Sequence, residues 1–203
     1  SLRWLHDVLF PTGTSKGYEI LIAEAESVEP GSSGLFFQPY LAGERTPHND
    51  SNARGVFYGL HLKHTRAHLV RAVMEGVCFA MRDSMELMLK LQGDFSEVRA
   101  VGGGARGRFW RQMQADVYGT PVVTIGPASG PSYGAAMMAA VGMGEFASIA
   151  EAVNVWLYPE ETVEPDPKRM GLYTDLYLEY RRLYPALKNR FASTARLVER
   201  GYG

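Results

Sequence analysis

Apolar residues recur at helical intervals along much of the chain. From Thr65 onward they fall at Leu69, Val73, Val77, Met81, Met85, Met88 and Leu91. This stripe predicts one long helix from a Thr65 N-cap to a stop at Gly93, ~40 Å long at a rise of about 1.5 Å per residue. Two shorter helices are predicted ahead of it: Leu2, Leu5 and Leu9 mark the first, stopped by Pro11 and Gly13, and the second covers Gly17–Ser27. Between them and the long helix, GLFFQPYLAG (34–43) reads as a buried strand leaving into a loop at Pro39, and RGVFYGL (54–60) as another short strand.

Beyond Gly93 the pattern alternates between the two periods. Val98, Ala100 and Val101 predict a strand, followed by a glycine turn and a helix with Phe109, Met113 and Val117 on one face and Trp110 and Gln114 beside it. Val122, Val123 and Ile125 predict a second strand, Gly126–Pro131 a turn, and Ser132–Val141 a helix rich in alanine, glycine and methionine. The small residues of that helix suit either tight packing on a sheet or a ligand's approach. A further helix is predicted over Ser148–Val155, and PEETVEPDPKR (159–169) reads as a polar crossing between helices. From Lys168 on, Tyr173, Tyr177, Tyr180 and Tyr184 stand at helical spacing, a packing surface rather than a base-stacking platform, until Pro185 kinks or breaks the helix. Strand–helix alternation implies an α/β fold with parallel pairing between the Val98 and Val122 strands. Strands are few for so many helices, so either the sheet is very small or part of it is missing from this chain.

Composition narrows the partners. With 203 residues, 46% of them hydrophobic and 21% charged, the chain has room for one large domain or two small ones. A formal net charge of −1 gives no electrostatic case for nucleic acid or an anionic membrane. The lone Cys78 lies in an apolar helical run and reads as a buried, inert thiol. No apolar run approaches the roughly 20 residues needed to cross a bilayer. Arg3, His6 and Asp7 stand where a signal peptide would need its apolar core, so a cytoplasmic setting is expected.

The chemistry concentrates in VRAVGGGARGRFWRQMQAD (98–116), where Gly102, Gly104 and Gly107 form a literal G-x-G-x-x-G between strand and helix. A helix N-terminus with glycines before it is a ready cradle for an anion. A dinucleotide fold also needs a carboxylate about 20 positions on, at the end of the next strand. Thr124, Ile125 and Gly126 stand there instead, which removes most of that reading's weight, and no Walker-type phosphate loop occurs. Arg106, Arg108 and Arg111 crowd the start of the helix. Cations are disfavoured at that end by about 0.3–1 kcal/mol each, which a bound phosphate would relieve; three solvated arginines on a surface turn are the alternative.

Three ordered segments resemble the FGGY carbohydrate kinases and, within that family, the xylulokinases. GVFYGLHLKHTRAHLVRAVME (55–75) fits the family's C-terminal signature, with Phe57, the Gly59–Leu60 pair, His68–Leu69, Ala72 and Glu75. YLAGERTPHND (40–50) looks like a sugar-kinase segment, and VGGGARGRFWRQMQADVYGTPV (101–122) like the adenosine-binding loop and helix. The resemblance runs from Ser1 to near the C-terminus. It implies a ribonuclease H-like, actin-like ATPase fold, with residues 1–203 as a C-terminal nucleotide-binding domain lacking its first strands and the N-terminal sugar-binding domain absent from this chain.

The same resemblance implies an ATP-dependent sugar kinase converting D-xylulose to D-xylulose 5-phosphate, with ATP/ADP and Mg²⁺ as cofactors. Carried over by position, Gly102, Gly103, Gly104 and Ala105 would meet the nucleotide, Arg108 would lie near adenine, and Arg3 would be a second nucleotide contact. Ser129 stands where many relatives carry Glu. The alternatives are a kinase for another sugar or polyol of the family and a non-catalytic actin-like nucleotide-binding module. Partners implied are the sugar, ATP and the remainder of the parent chain; a homodimer is left open, and no nucleic acid or membrane is expected.

Phosphoryl transfer asks for a carboxylate base on the acceptor hydroxyl. The local candidates are Asp50, Asp83 and Asp116. Asp83 and Asp116 read as solvated or capping charges on helices, Asp50 and His48 as architecture in the Glu44–Asp50 loop, and Glu44–Arg45 as an internal ion pair. Catalysis is assigned to none of them: the resemblance puts the base in the absent N-terminal domain, and the chain alone is expected to be inactive.

Overall fold

The computed structural model describes residues 1–10, 17–126 and 130–202. They form two compact units, Ser1–Asp94 with Pro167–Gly203, and Phe95–Asp166.

The first unit is built on the long helix. In chain order it holds α1 (Leu2–Leu9), α2 (Gly17–Glu26), β1 (Phe36–Gln38), β2 (Val56–Tyr58) and α3 (Arg66–Gln92). Thr65 caps α3, its backbone N–H donating to His68 Nδ1 at 3.3 Å, and Gly93 at φ +84 ends it. Val70, Val73, Met74, Cys78 and Phe79 of α3 are buried, so the thiol lies in the core as expected. β1 and β2 pair antiparallel, Phe37 opposite Phe57.

A last helix, continuing through Leu197 from Pro167, completes the unit. Tyr173, Tyr177, Tyr180 and Tyr184 are all buried along it, as a packing surface should be. Of the two outcomes expected at Pro185, a break does not occur: the helix runs on through it. Proline costs the helix one backbone bond. Tyr184 before it and Phe191 after it both bury against Tyr40 and Ala53, which anchors the helix on either side of the proline.

The second unit is a three-stranded sheet with helices. It contains β3 (Val98–Ala100), α4 (Arg108–Tyr118), β4 (Val122–Gly126), α5 (Pro131–Gly142), α6 (Ile149–Trp156) and β5 (Tyr158–Val163); the Pro167–Leu197 helix of the first unit is α7. β3 and β4 are parallel, Val98 opposite Val122, as the alternation predicted. β5 then pairs antiparallel with β4, Val122 opposite Val163, with a register shift between Thr124 and Ile125. The stretch read as a polar crossing therefore supplies a strand. Its side chains are mostly exposed, and only Val163 is buried, so it carries little of the apolar alternation that marks a strand. Of α5 only Met137 is buried, while Ala135, Ala136 and Ala139 are exposed. Tight packing of that small-residue helix is not made within the unit.

Candidate functional site

β3 delivers the chain into the glycine turn. Gly102 takes φ +77 and ψ −157, a conformation open essentially to glycine alone. A short 3₁₀ turn over Gly103–Ala105 follows, and Gly107 caps α4. A Cβ added at Gly102, Gly103 or Gly107 would meet nothing within 4 Å, and at Gly104 only Gln114 Nε2, at 3.5 Å. Among the described residues, nothing accounts for the missing side chains at Gly103, Gly104 and Gly107. Gly102, Ala105 and Arg106 of the turn line a cavity of about 540 Å³ bounded also by the ends of β3 and β4 and by Glu160 and Glu161 of β5.

The three arginines of this segment separate. Arg111 is buried, and its Nη1 donates to the Ala105 carbonyl. Its Nη2 donates to Glu161, whose other carboxylate oxygen accepts from Arg108 Nη1 at 2.6 Å. Arg106 is exposed and lines the cavity. Arg111 Nε is buried without a hydrogen-bond partner among the described residues. The three are therefore not alike: Arg111 is buried and bonded, Arg108 is ion-paired, and Arg106 is exposed, with Arg106 and Arg111 both lining the cavity. Glu161 was not legible in the sequence, because it sits in the stretch read as a linker.

The second unit thus brings together Gly102, Gly103, Gly104, Ala105 and Arg108. Arg3 belongs to the first unit, exposed on α1. Ser129 lies outside the described residues.

Asp83 and Asp116 are buried rather than solvated. Asp116 is buried and accepts from Gln112 Nε2 and from the Asp166 backbone N–H, both at 2.8 Å, which ties α4 to the end of β5. Asp83 is buried beside α7, accepts the Tyr177 hydroxyl at 2.7 Å and meets Arg181 at 3.5 Å. Burial pushes the Asp83 carboxyl up from its ordinary value, against the Tyr177 bond and Arg181. The sequence reads both as solvated or capping charges because a lone aspartate on a helix gives no sign of the partner it will meet. Asp50 accepts the Tyr184 hydroxyl at 2.9 Å, and burial pushes that phenol up to about 12. His48 stacks on the Tyr184 ring at 3.6 Å, and burial lowers its pKa. Glu44 accepts the His48 backbone N–H at 2.7 Å and bridges Asp50 through the backbone; these contacts, not Arg45, hold the loop.

The signature segment carries frame residues as well. Glu75 is buried and accepts from the Gly31 N–H at 2.8 Å, Ser32 Oγ at 3.2 Å, Arg71 Nε at 2.9 Å and the Tyr173 hydroxyl at 3.1 Å. Burial pushes the Glu75 carboxyl up, with Arg71 opposing. Arg71 is buried too and donates to the carbonyls of Ala25 and Val28, stitching α2, α3 and α7 together.

Residues 11–143 match the model of the C-terminal domain of the FGGY family of carbohydrate kinases, and the chain belongs to that family. It is 38% identical over 188 residues to the xylulose kinase of Staphylococcus epidermidis, covering 93% of this chain and 37% of that one. It is 32% identical over 212 residues to the gluconokinase of Bacillus subtilis, covering 99% and 38%. The crystal structure of ligand-bound xylulose kinase from Lactobacillus acidophilus superposes with a TM-score of 0.85 at 28% identity, over 95% of this chain and 39% of that one. The fold is thus the ribonuclease H-like, actin-like fold of these kinases, present in part. The chain spans well under half the length of the relatives it matches. Among the described residues, no helix is long and apolar enough to cross a membrane.

Proposed function

We propose that this chain is the nucleotide-binding part of an ATP-dependent kinase that phosphorylates D-xylulose to D-xylulose 5-phosphate. One observation carries the nucleotide half of this reading. The turn after β3, where a Cβ at Gly103 would meet no described residue, contributes Gly102, Ala105 and Arg106 to the lining of a cavity of about 540 Å³ at the ends of β3 and β4. Crevices at the carboxyl ends of parallel strands are where open α/β sheets take ligands. The sugar half rests on the 38% identity to a xylulose kinase.

The residues suit the group. The Gly102–Ala105 backbone and the N-terminus of α4 would present N–H dipoles, and Arg106 its exposed guanidinium, to the nucleotide's ribose and phosphates. The phosphates belong on the turn side of the cavity, away from Glu160 and Glu161. Arg108, held by Glu161, would border the nucleotide beside the turn, and Arg3 would be a further contact. Among the described residues no group of three or more His, Cys, Asp or Glu is placed to hold a metal, so Mg²⁺ would travel on the ATP phosphates and neutralise charge there. In the first unit Asp83 accepts from Tyr177 and Asp50 from Tyr184, and in the second Asp116 accepts from Gln112, so none suits the role of base; the base and the sugar contacts would come from the remainder of the parent chain.

The full-length parent polypeptide tests this reading by calorimetric titration with ADP and by ADP release with D-xylulose, gluconate and glycerol as acceptors. D-xylulose is expected to give the highest kcat/KM. The 32% identity to a gluconokinase makes gluconate the competing acceptor, and preference for it would replace D-xylulose. ADP binding without turnover on any acceptor would favour a non-catalytic nucleotide-binding module.

A further inference from the structure

We propose that Arg111 and Glu161 are positioning residues of the nucleotide site, acting through the Ala105 carbonyl to fix the direction of the glycine turn. The inference rests on the nucleotide reading above and adds two residues to it.

The turn has little else to hold it. Its backbone bonds are Ala105 N–H to the Gly102 carbonyl, at 3.2 Å, and Arg106 N–H to the Gly103 carbonyl, at 3.3 Å. Both are local, so they fix the shape of the turn and not its orientation against the sheet. The glycines have no side chains to pack, and the Ala105 methyl is the one buried apolar group of the turn. Orientation therefore falls to the Arg111 guanidinium, which grips the Ala105 carbonyl at one end and the Glu161 carboxylate at the other. An arginine fork suits this task because its planar donors point in fixed directions, where a lysine ammonium offers a single flexible charge.

Glu161 is itself anchored. Its backbone N–H donates to Thr124 Oγ1 at 3.2 Å, and its strand pairs with β4, so the carboxylate projects from a fixed point of the sheet. One oxygen takes Arg111 and the other takes Arg108. The pair thus links the far edge of the sheet, across the cavity, to the turn that would face the nucleotide. The carboxylate also engages two of the three cations, offsetting one of their two charges, while Arg106 lines the cavity.

A displaced turn costs binding even when every group that touches the nucleotide is intact, since misplacement by about 1 Å can cost up to 100-fold in a positioned site. The variants are Arg111→Lys, Glu161→Gln and Glu161→Ala in the full-length parent, with folding checked by thermal melting. Calorimetric ADP titration is expected to give a dissociation constant raised roughly 10-fold in Arg111→Lys and Glu161→Ala, and less in Glu161→Gln, which keeps an acceptor. Sugar affinity, read separately by titration, should stay within about twofold, as loss of the fold would not allow. KM for ATP should rise more than kcat falls. The Arg111→Lys, Glu161→Ala double variant should lose no more than the worse single one, because the two side chains form one link.

Arg111 is buried, so its variant is the one at risk of not folding; Glu161, on an edge strand, carries the test in that case. Wild-type protein that binds no ADP would overturn the nucleotide reading itself. Wild-type binding with folded Glu161→Ala within twofold of it would overturn the positioning role alone. Equal losses for sugar and ADP would do the same, by assigning the pair to stability.

Discussion

Glycine serves opposite ends in α3 and in the turn after β3. A Cβ at Gly76 would collide with the Phe37 carbonyl oxygen, and at Gly59, where φ is +92, with the Gly34 carbonyl oxygen. These glycines let β1, β2 and α3 come together. At Gly103 a Cβ would meet nothing. The charged groups divide the same way. Glu75 has four donors inside its own unit, whereas the turn presents Arg106 to an open cavity. The α3 part of the family signature, from Val70 to Glu75, is an interior closed on itself. The glycine turn has open space at Gly103 and Gly107 among the described residues and contributes to the lining of a cavity. Membership of a signature therefore does not make a residue part of a site; an unspent contact does.

The largest effects should come from opening the closed region. Arg71→Met in the full-length protein leaves Glu75 buried without its cation, and breaking a buried pair in this way costs about 3–5 kcal/mol. Gly76→Ala should be at least as damaging, because its obstacle is backbone rather than a flexible side chain. Urea denaturation reads both. A loss below about 1 kcal/mol for each would mean that the interior relaxes around them and that the contrast with the turn is overdrawn.

The turn should answer in the other currency. Gly104→Val adds a branched side chain to the glycine turn, so melting should change little while the ADP dissociation constant rises by roughly 10- to 100-fold, as backbone approach to the ligand is blocked. Gly103→Ala, whose Cβ has open space around it, should keep stability within about 1 kcal/mol of wild type and still weaken ADP. Unchanged ADP affinity in both folded variants would remove the cradle from the nucleotide site. Destabilisation matching that of Gly76→Ala would erase the comparison altogether.

Legibility in the sequence followed the same division. The α3 stripe, the strand–turn–helix around Gly102 and the tyrosine face of α7 were readable because periodicity records burial directly, and all three are present. β5 was not, since an edge strand with charged side chains lacks apolar alternation. With β5 went Glu161, and with Glu161 the difference between Arg106, which faces the cavity, and Arg111, which holds the turn. Pro185 misled because its local cost is visible in sequence while the anchoring of Tyr184 and Phe191 is tertiary. Asp83 and Asp116 misled for the matching reason: their partners Tyr177 and Asp166 lie far along the chain.

The smallest effect belongs to Asp83, and its sign is diagnostic. Asn at this position keeps an oxygen to accept the Tyr177 hydroxyl and gives up the ion pair to Arg181, whose side chain is 49% exposed. Such a half-exposed pair is worth only about 0.2–1 kcal/mol, so Asp83→Asn should stay within roughly that range of wild type. The pH dependence is what separates explanations. Burial raises the Asp83 carboxyl above 3.8 in the folded protein, so the folded state holds a proton that the unfolded chain has released. Stability falls with rising pH wherever the unfolded state binds fewer protons. This group's contribution is therefore fully present below 3.8 and is lost as pH rises through the folded value. Asn has no such loss. Urea midpoints of the two full-length proteins, compared between pH 4 and pH 7, should shift in favour of Asp83→Asn as pH increases. A shift the other way would mean that Tyr177 and Arg181 together hold the carboxylate charged. The hydrogen bond from Tyr177 and the Arg181 cation would then outweigh burial at Asp83, and this part of the closed region would be held by its charge rather than in spite of it.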